Sequence, residues 1–302
     1  MLIFSHKCGQ LGNNLFAFAH LIANAKANDH SVINLAFEEY AQYFENTKQS
    51  LFCCYPQTIT NIPANRLRFF LFIINKAVVK LMRASSFTKS FLHEVVVADL
   101  PEYQFHEGRY FDLNKPSFQK TTVTKKFTFL FGRFFRDYLN MEEYQESIRE
   151  FFRPTKQIQE KVNHFLSLAK HDTECLVGVH IRRGDYEEFA GGKFFYSLND
   201  YYRKMQELHV SEDKKKISFV VCSNEPIDPS VFQGLRVFIG PGHLVEDLYI
   251  LAGCDILMGP PSTYSRWASF YGKKPLAQII HLEESVSTKQ FVILPPEQLF
   301  DF

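Results

Sequence analysis

The sequence predicts an α/β protein built on parallel β-sheets. The apolar run at residues 175–181 contains two valines and an isoleucine, which is typical of a buried parallel strand. The second half of the chain alternates short apolar runs with helical segments through Gly, Pro and Ser turns. At 302 residues, the chain is long enough for two medium-sized domains.

Composition excludes several classes of protein. The net charge of +1 argues against a dedicated nucleic-acid binder, because such proteins carry a clear basic excess. The six cysteines show neither CxxC pairing nor metal-ligand spacing, so buried free thiols are expected. The chain opens on an apolar strand-like segment without a signal-peptide pattern, and no apolar run reaches the ~20 residues of a spanning helix. We therefore expect a cytoplasmic protein.

The amino-terminal segment predicts a strand, a glycine-containing loop and a helix. Residues 1–4 are apolar, and a helical pattern begins at about Asn13. Gly9 and Gly12 allow close backbone approach, and a helix amino terminus offers unpaired N–H groups to an anion. The alternative interpretation is a plain βα turn with an asparagine cap.

Residues 46–93 carry seven Lys or Arg residues and no Asp or Glu. Within them, residues 66–90 form a basic amphipathic segment, and at 100° per residue Arg66, Arg68, Lys76, Lys80 and Arg83 fall on one half of a helix. Such a helix can lie on the anionic inner face of a membrane, near a lipid-linked acceptor. The alternative is a solvated face on a core helix.

The middle of the chain shows short strands with Gly, Pro and Asn turns up to residue 135, and then helices up to about residue 168. A polar break at residues 170–174 predicts the domain boundary, which gives domains at 1–170 and 171–302. In the second domain we predict strands at 175–181, 217–222, 237–239 and 255–258, and helices at 198–208, 246–253 and 264–271. Gly272 is expected to end the last helix.

Polar and basic residues follow the strand at 175–181. Ligands of parallel α/β sheets bind beyond the carboxyl ends of the strands. Two arginines there, Arg182 and Arg183, suit a dianionic ligand such as a diphosphate, because a guanidinium makes forked bonds to phosphate oxygens. The alternative is an ion pair with Asp185. Strand alternation predicts that only one of the two arginines faces the ligand.

Three segments, in order, resemble the α1,2- and α1,6-fucosyltransferase superfamily, and most closely the bacterial-type α1,2-fucosyltransferases of glycosyltransferase family 11. His180–Tyr186 is similar to that superfamily's His-x-Arg-Arg-Gly-Asp-Tyr signature. Gly9–Phe16 resembles its Gly-x-Leu-Gly-Asn-Gln-x-Phe opening, and Glu246–Gly272 resembles its acidic helix, serine-rich turn and aromatic helix.

The resemblance implies a GT-B fold, in which two Rossmann-like domains face one another across a cleft. It implies an acceptor-side amino-terminal domain and a nucleotide-sugar-binding carboxyl-terminal domain. The implied reaction is metal-independent, inverting transfer of L-fucose from GDP-β-L-fucose to a glycan hydroxyl, O2 of galactose, with no cofactor. Two alternatives remain open, a transferase of the same architecture for another nucleotide sugar and a catalytically silent glycan- or nucleotide-binding protein.

The resemblance also assigns candidate residues. Arg183 is expected on the donor's diphosphate, with Arg182 in a more structural role, and Asp185 and Glu187, with Glu188 beside them, are the nearest candidates for a base. The remaining candidates for donor binding are Gly12, Asn13, His180, Ser223, Asn224, Asp247, Ser262 and Thr263. Ser223-Asn224-Glu225 departs from the family's frequent Ser-Asp-Asp. No metal ligands are expected.

Overall fold

The computed structural model describes residues 1–59, 65–84, 92–96, 110–132, 134–211 and 216–299. The chain divides into two compact units, Met1–Thr155 and Lys156–Phe302. Each unit contains a five-stranded, predominantly parallel sheet with helices, so the predicted α/β class is confirmed. The units divide earlier than the expected boundary at residue 170, because the helix Lys156–Lys170 packs on elements of the second unit.

The first unit is built around its first strand. Its described strands are β1 (Leu2–Phe4), β2 (Val32–Asn34), β3 (Cys54–Tyr55), β4 (Leu92–Val96), β5 (Phe111–Asp112), β6 (Phe127–Phe131) and β7 (Phe135–Arg136). Its described helices are α1 (Leu11–Ala27), α2 (Glu45–Lys48), α3 (Asn65–Ala84), α4 (Pro116–Thr124), α5 (Tyr138–Glu143) and α6 (Gln145–Phe151). The main sheet has the order β3-β2-β1-β6-β4, with β2 and β3 antiparallel and all other pairs parallel.

Aromatic packing fills the core of the first unit and uses many of the chain's 32 phenylalanines. Helix α1 is buried nearly all round, and two of its buried polar residues, His20 and Asn24, are hydrogen-bonded to Asp137. Its Phe18 meets three other phenylalanine rings edge-on at 5.4–5.6 Å: Phe37, Phe151 and Phe152. Such edge-to-face contacts are a preferred arrangement of buried aromatic rings.

The second unit is a doubly wound sheet. Its strands are β8 (Cys175–Ile181), β9 (Ile217–Ser223), β10 (Val237–Ile239), β11 (Ile256–Gly259) and β12 (Leu276–Gln278). Its helices are α7 (Lys156–Lys170), α8 (Leu198–Ser211), α9 (Leu244–Gly253) and α10 (Thr263–Gly272). The order β10-β9-β8-β11-β12 is parallel throughout. The strand order reverses between β8 and β11, and ligands of such sheets bind at this switch point.

Gly272 has a different role from the one predicted. Helix α10 ends at Gly272, and the left-handed residue that follows it is Lys273, with φ of 54°. A Cβ on Gly272 would lie 2.1 Å from the carbonyl oxygen of Ala252 in α9. Glycine is required there because two helices approach closely. The predicted helix end is confirmed, but the glycine does not act as a left-handed cap.

Helix α3 confirms the predicted helix but changes its basic face. Arg68 is 1% exposed, and its guanidinium donates hydrogen bonds to the carbonyl oxygens of Thr47, Lys48 and Ser50 at 2.6–3.0 Å. It thereby caps the end of α2 and does not contribute to an exposed basic surface. Residues 85–90 of the predicted amphipathic segment lie outside the described residues. Within the described part of the chain, no helix is long and apolar enough to cross a membrane.

Candidate functional site

The sheet of the second unit brings the arginine motif and the serine-rich turn together. The motif follows β8 and the turn follows β11, on either side of the switch point. The Tyr186 hydroxyl donates to the carbonyl oxygen of Pro261 at 2.7 Å and joins the two segments. A Cβ on Gly259 would lie 2.7 Å from the carbonyl oxygen of His180, so these strand ends can approach only with glycine at that position.

Arg182 and Arg183 make entirely different contacts. Arg182 donates to the Asp185 carboxylate at 2.7 Å, and its guanidinium lies 5.6 Å from the ring of Tyr186. The guanidinium of Arg183 lies 5.1 Å from the ring of Phe195. This divergence is what strand alternation predicts for neighbouring residues. Arg182 is held within its own turn.

Asn224 fixes the main chain of Arg183. Its side-chain oxygen accepts from the Arg183 N–H at 3.0 Å, and its Nδ2 donates to the Arg183 carbonyl at 3.2 Å. Gly184, with φ of 60°, follows directly, and a Cβ on it would lie 3.1 Å from that Nδ2. The same loop brings the Glu225 carboxylate to 3.3 Å from the Arg183 Nε. The side chains of Asn224 and Glu225 thus set the position of Arg183.

The candidate bases lie in the turn Gly184–Glu187. Asp185 is exposed, and Arg182 engages one of its carboxylate oxygens. Glu187 and Glu188 are also exposed. Arg182 thus restrains Asp185 through one carboxylate oxygen.

His180 is a buried, neutral imidazole. It is 3% exposed, and its ring lies 5.0 Å from the ring of Tyr264. Burial, followed by the nearby charge of Arg182, lowers the pKa of His180 to about 3. Its Nδ1 has no hydrogen-bond partner among the described residues. A buried polar atom of this kind can orient a ligand or a water molecule.

Asp247 presents a buried carboxyl group in the first turn of α9. It is 4% exposed and accepts from the Gly242 N–H at 3.2 Å. Burial raises the pKa of Asp247 to about 7, with a smaller contribution from the charge of Glu246, while the bond from Gly242 opposes the rise. A Cβ on Gly240 would lie 2.9 Å from its Oδ1, so the loop after β10 packs tightly against the carboxyl group.

The hydroxyl candidates differ in how they are used. Ser262 is buried and caps α10, because its Oγ accepts from the Tyr264 N–H at 3.2 Å. Thr263 is half-buried at the start of that helix. Ser223 is half-buried as well, and its Oγ accepts from the Glu225 N–H at 3.1 Å. Ser262 and Thr263 stand where a helix amino terminus favours an anion.

Gly12 and Asn13 belong to the first unit, in the first turn of α1, which begins two residues earlier than predicted. Gly12 is buried and Asn13 is exposed. The neighbouring Asn14 organises the loop: its Nδ2 donates to the carbonyl oxygens of Gly9 and Gln10 at 3.0 and 2.9 Å, and its Oδ1 accepts from the Cys8 N–H at 3.1 Å. With these bonds made by Asn14, the amide of Asn13 is not needed to form the turn.

Two aromatic residues of the site, Tyr264 and Phe195, were not predicted from the sequence. Tyr264 packs on His180, and its hydroxyl donates to the carbonyl oxygen of Leu244 at 2.7 Å, which joins α10 to α9. Phe195 lies beneath the guanidinium of Arg183. Tyr264 directly follows the serine-rich turn, which could have indicated its role, whereas no local pattern marks Phe195.

Among the described residues, no group of three or more His, Cys, Asp or Glu side chains could hold a metal ion. The expectation of a metal-independent reaction remains a prediction.

Several solved fucosyltransferase structures are similar in fold to this chain. POFUT1 in complex with GDP-fucose matches with a TM-score of 0.53 at 14% identity, over 95% of this chain and 96% of that one. The NodZ α-1,6-fucosyltransferase co-crystallised with GDP gives 0.53 at 14%, over 92% and 94%; NodZ structures come from Bradyrhizobium. A FUT1 variant of Arabidopsis thaliana in complex with GDP gives 0.54 at 11%, over 91% and 69%. At these identities the likeness establishes the fold.

The sequence comparison identifies the family. The model of "Glycosyl transferase family 11" matches residues 8–291, nearly the whole chain. The chain belongs to glycosyl transferase family 11, and the family predicted from the three motifs is confirmed. No curated protein matches the sequence.

Proposed function

We propose that this glycosyltransferase moves L-fucose from GDP-β-L-fucose to a hydroxyl group of a glycan. The arginine motif at the switch point of the second sheet carries the proposal, because a loop there holds Arg183 by its main chain and leaves its guanidinium on the face of Phe195. Family membership and structural neighbours solved with GDP or GDP-fucose support the same donor.

In this proposal the second unit binds the donor. Arg183 contacts the diphosphate, and Ser262 and Thr263 offer it hydroxyl groups at the amino terminus of α10. The neutral ring of His180 supplies an uncharged hydrogen bond through its unpaired Nδ1. Asp247, when ionised, accepts hydrogen bonds from N–H or O–H groups of the nucleoside. Ser223 and Asn224, in the loop after β9, are proposed as further donor contacts. Gly12 and Asn13 remain the donor-binding candidates that the family resemblance assigns to the loop before α1.

The proposed reaction is a single displacement with inversion. An acceptor oxygen forms a bond to C1 of fucose while the bond from C1 to the phosphate oxygen breaks, and GDP leaves with the bonding electron pair. Negative charge grows on the diphosphate, and Arg183 stabilises it more strongly as the bond breaks. One such contact is worth about 10²–10³ in turnover.

A carboxylate takes the proton of the acceptor hydroxyl in this scheme. General-base assistance contributes roughly 10²–10⁴ in rate. Asp185 and Glu187 are the proposed candidates, and Glu187 is favoured because Asp185 is engaged by Arg182. The products are then the fucoside, free GDP and the protonated carboxylate.

The acceptor belongs to the finer part of the proposal. We propose O2 of a galactose in a glycan under assembly, bound on the side of the first unit and carried on a lipid. We also propose a cytoplasmic, metal-independent enzyme. These points rest on the family resemblance and on the basic segment at residues 66–90, and each is open to direct test.

The test is product analysis after incubation with GDP-fucose and galactose-terminated acceptors, with and without chelator. The proposal expects release of GDP and an α-linked fucoside on O2, identified by mass spectrometry and NMR. Turnover of UDP-sugars only would favour a transferase for another nucleotide sugar. Binding of GDP-fucose without product on any acceptor would favour a silent binding protein, an alternative that the Asn224-Glu225 departure supports.

A further inference from the structure

The outward side of α3 is apolar. Its most exposed large apolar side chains among the described residues are Phe70 at 58%, Ile74 at 54% and Phe69 at 49%, and Ile73 and Leu67 continue the same surface. These five residues, the α3 face, recur at the three- and four-residue spacing of one helix side. The opposite side holds Arg68 and Phe72, which are buried. Ordinary surface helices have the reverse arrangement, with the apolar stripe turned inward.

The sequence segment that contains the α3 face is basic. Lys76 is exposed at its edge, with its ammonium 4.7 Å from the ring of Phe72. In the sequence, residues 46–93 carry seven basic residues and no acidic one. Exposed phenylalanine and isoleucine beside an exposed lysine resemble the composition of helices that lie in a membrane interface. Positive charge attracts anionic headgroups, and the apolar side chains enter the acyl boundary.

A second copy of the chain fits this surface less well. The helix from residue 67 to 77 is about 16 Å long at 1.5 Å per residue. Such a strip is short for the ~800 Å² that each partner buries in a stable interface. A symmetric pair would also bring two basic segments together without any acidic residue between residues 46 and 93 to oppose them.

We infer that α3 docks the protein onto a bilayer that contains anionic lipid, with Phe69, Phe70, Ile73 and Ile74 inserted in the plane of the interface. The α3 face belongs to the first unit, and its docking does not depend on the proposed transfer reaction.

The test is vesicle co-sedimentation of the full chain, with phosphatidylcholine alone and with phosphatidylcholine mixed with phosphatidylglycerol. We expect binding to the anionic vesicles and weak binding to the neutral ones. The double variant Phe70→Gln/Ile74→Gln should lower the partition coefficient at least about tenfold, because it removes two apolar side chains from the inserted surface. The matched control Val123→Gln/Leu139→Gln, which changes two exposed apolar residues elsewhere in the first unit, should bind like the parent protein.

Lys76 tests the electrostatic part. Lys76→Gln should weaken binding to anionic vesicles about fivefold, the effect of one basic residue near such a surface. High salt should remove this difference, because it screens exposed charges. Parent protein that stays in the supernatant with anionic vesicles would overturn the inference. So would a dimer in sedimentation equilibrium that the double variant dissociates, since the occupant would then be a second copy. Fucose transfer by the double variant to a water-soluble acceptor is measured as well. We expect it to match that of the parent protein, so loss of vesicle binding can be distinguished from loss of the proposed activity.

Discussion

Arg183 differs from its neighbour in the freedom of its guanidinium. Arg182 is tied to Asp185 within the turn, whereas Arg183 is fixed through its main chain and rests on Phe195 beside Glu225. An anionic ligand has only to displace a partly exposed ion pair with Glu225, and such pairs are worth at most about 1 kcal/mol. Fixed backbone and a displaceable side-chain partner together suit a residue that meets a diphosphate.

Replacing Arg183 should therefore damage catalysis without damaging the fold. We expect Arg183→Ala to lower kcat by about 10²–10³ or more, because the leaving diphosphate loses its charged contact. Arg183→Lys should retain part of the activity, since a lysine keeps the charge but not the forked bonds. The assay is initial-rate GDP release alongside thermal unfolding. The exposed Arg203→Ala serves as control. Near-normal turnover by Arg183→Ala would remove Arg183 from the site.

Asp247 should show opposite effects on stability and on donor binding. Its pKa of about 7 in the fold lies above the ~3.9 of an unfolded aspartate. Between about pH 4 and 7 the folded state keeps a proton that the unfolded state releases, so the carboxyl group costs nothing below pH 4 and destabilises the fold increasingly as the pH rises. Asp247→Asn should then raise the free energy of unfolding by a few kcal/mol at pH 8, at about 1.4 kcal/mol per unit of pKa, and leave it unchanged at pH 4.

The same Asp247→Asn change should weaken GDP binding at pH 8, because the amide no longer offers two acceptor oxygens. Urea unfolding at pH 4 and pH 8, with calorimetric titration of GDP, measures both effects. Asp228→Asn is the control, since a backbone hydrogen bond lowers the pKa of that exposed carboxyl group and no gain at pH 8 is expected. Stability that falls at pH 8, or affinity that does not change, would contradict the role given to Asp247.

At the scale of elements, two loops after neighbouring parallel strands hold each other. Asn224 follows β9 and makes two hydrogen bonds to the backbone of Arg183, which follows β8. We expect Asn224→Ala to lower kcat/KM for the donor about tenfold through the lost positioning of Arg183, at about 1 kcal/mol in stability. Steady-state kinetics and thermal unfolding give both numbers. The exposed Asn199→Ala in α8 is the control, and unchanged donor kinetics for Asn224→Ala would show that the backbone bonds do not position Arg183.

The contact between α9 and α10 is equally specific. A Cβ on Gly272 would meet the Ala252 carbonyl oxygen at 2.1 Å, whereas one on Gly253 would meet the Leu166 side chain at 2.2 Å. A leucine end can rotate and a helix carbonyl cannot. Gly272→Ala should therefore cost about 1–3 kcal/mol by overpacking, and Gly253→Ala less. Urea unfolding of the two variants decides it, and equal stability losses would contradict the argument.

The sequence predicted what depends on local pattern. Strand β8 is bounded as expected because a run of buried apolar residues ends at a charged pair, and the family motifs located the switch-point loops. Contacts between segments that are distant in the sequence could not be predicted from local pattern. Arg68 looked like part of a basic surface, but its carbonyl partners lie about twenty positions earlier, at the end of α2. Gly272 was predicted to be a helix cap because it follows the last apolar residues of α10. The sequence does not show that α9 will pack closely against it.

At the scale of the whole molecule, each unit contributes a predominantly parallel sheet whose first strand lies centrally. The proposed chemistry is concentrated in the second unit, where the sheet, the arginine loop and the amino termini of α9 and α10 converge. The first unit carries the glycine loop at α1 and the apolar face of α3. We propose that the second unit binds the donor, and that acceptor binding and membrane contact belong to the first.

The most direct test of donor binding is a thermal-shift comparison of GDP, GDP-fucose, GDP-mannose, UDP-galactose and UDP-glucose, with and without chelator. At 100 times its dissociation constant a true ligand adds about 2.7 kcal/mol to stability, a rise of several degrees in Tm. We predict that GDP and GDP-fucose each raise Tm, and that chelator does not change the rise. The uridine nucleotides should leave Tm unchanged, and Arg183→Ala should lose most of the rise with GDP and GDP-fucose. A preference for uridine nucleotides, or no shift with GDP and GDP-fucose, would contradict the assignment of this site to a GDP-sugar.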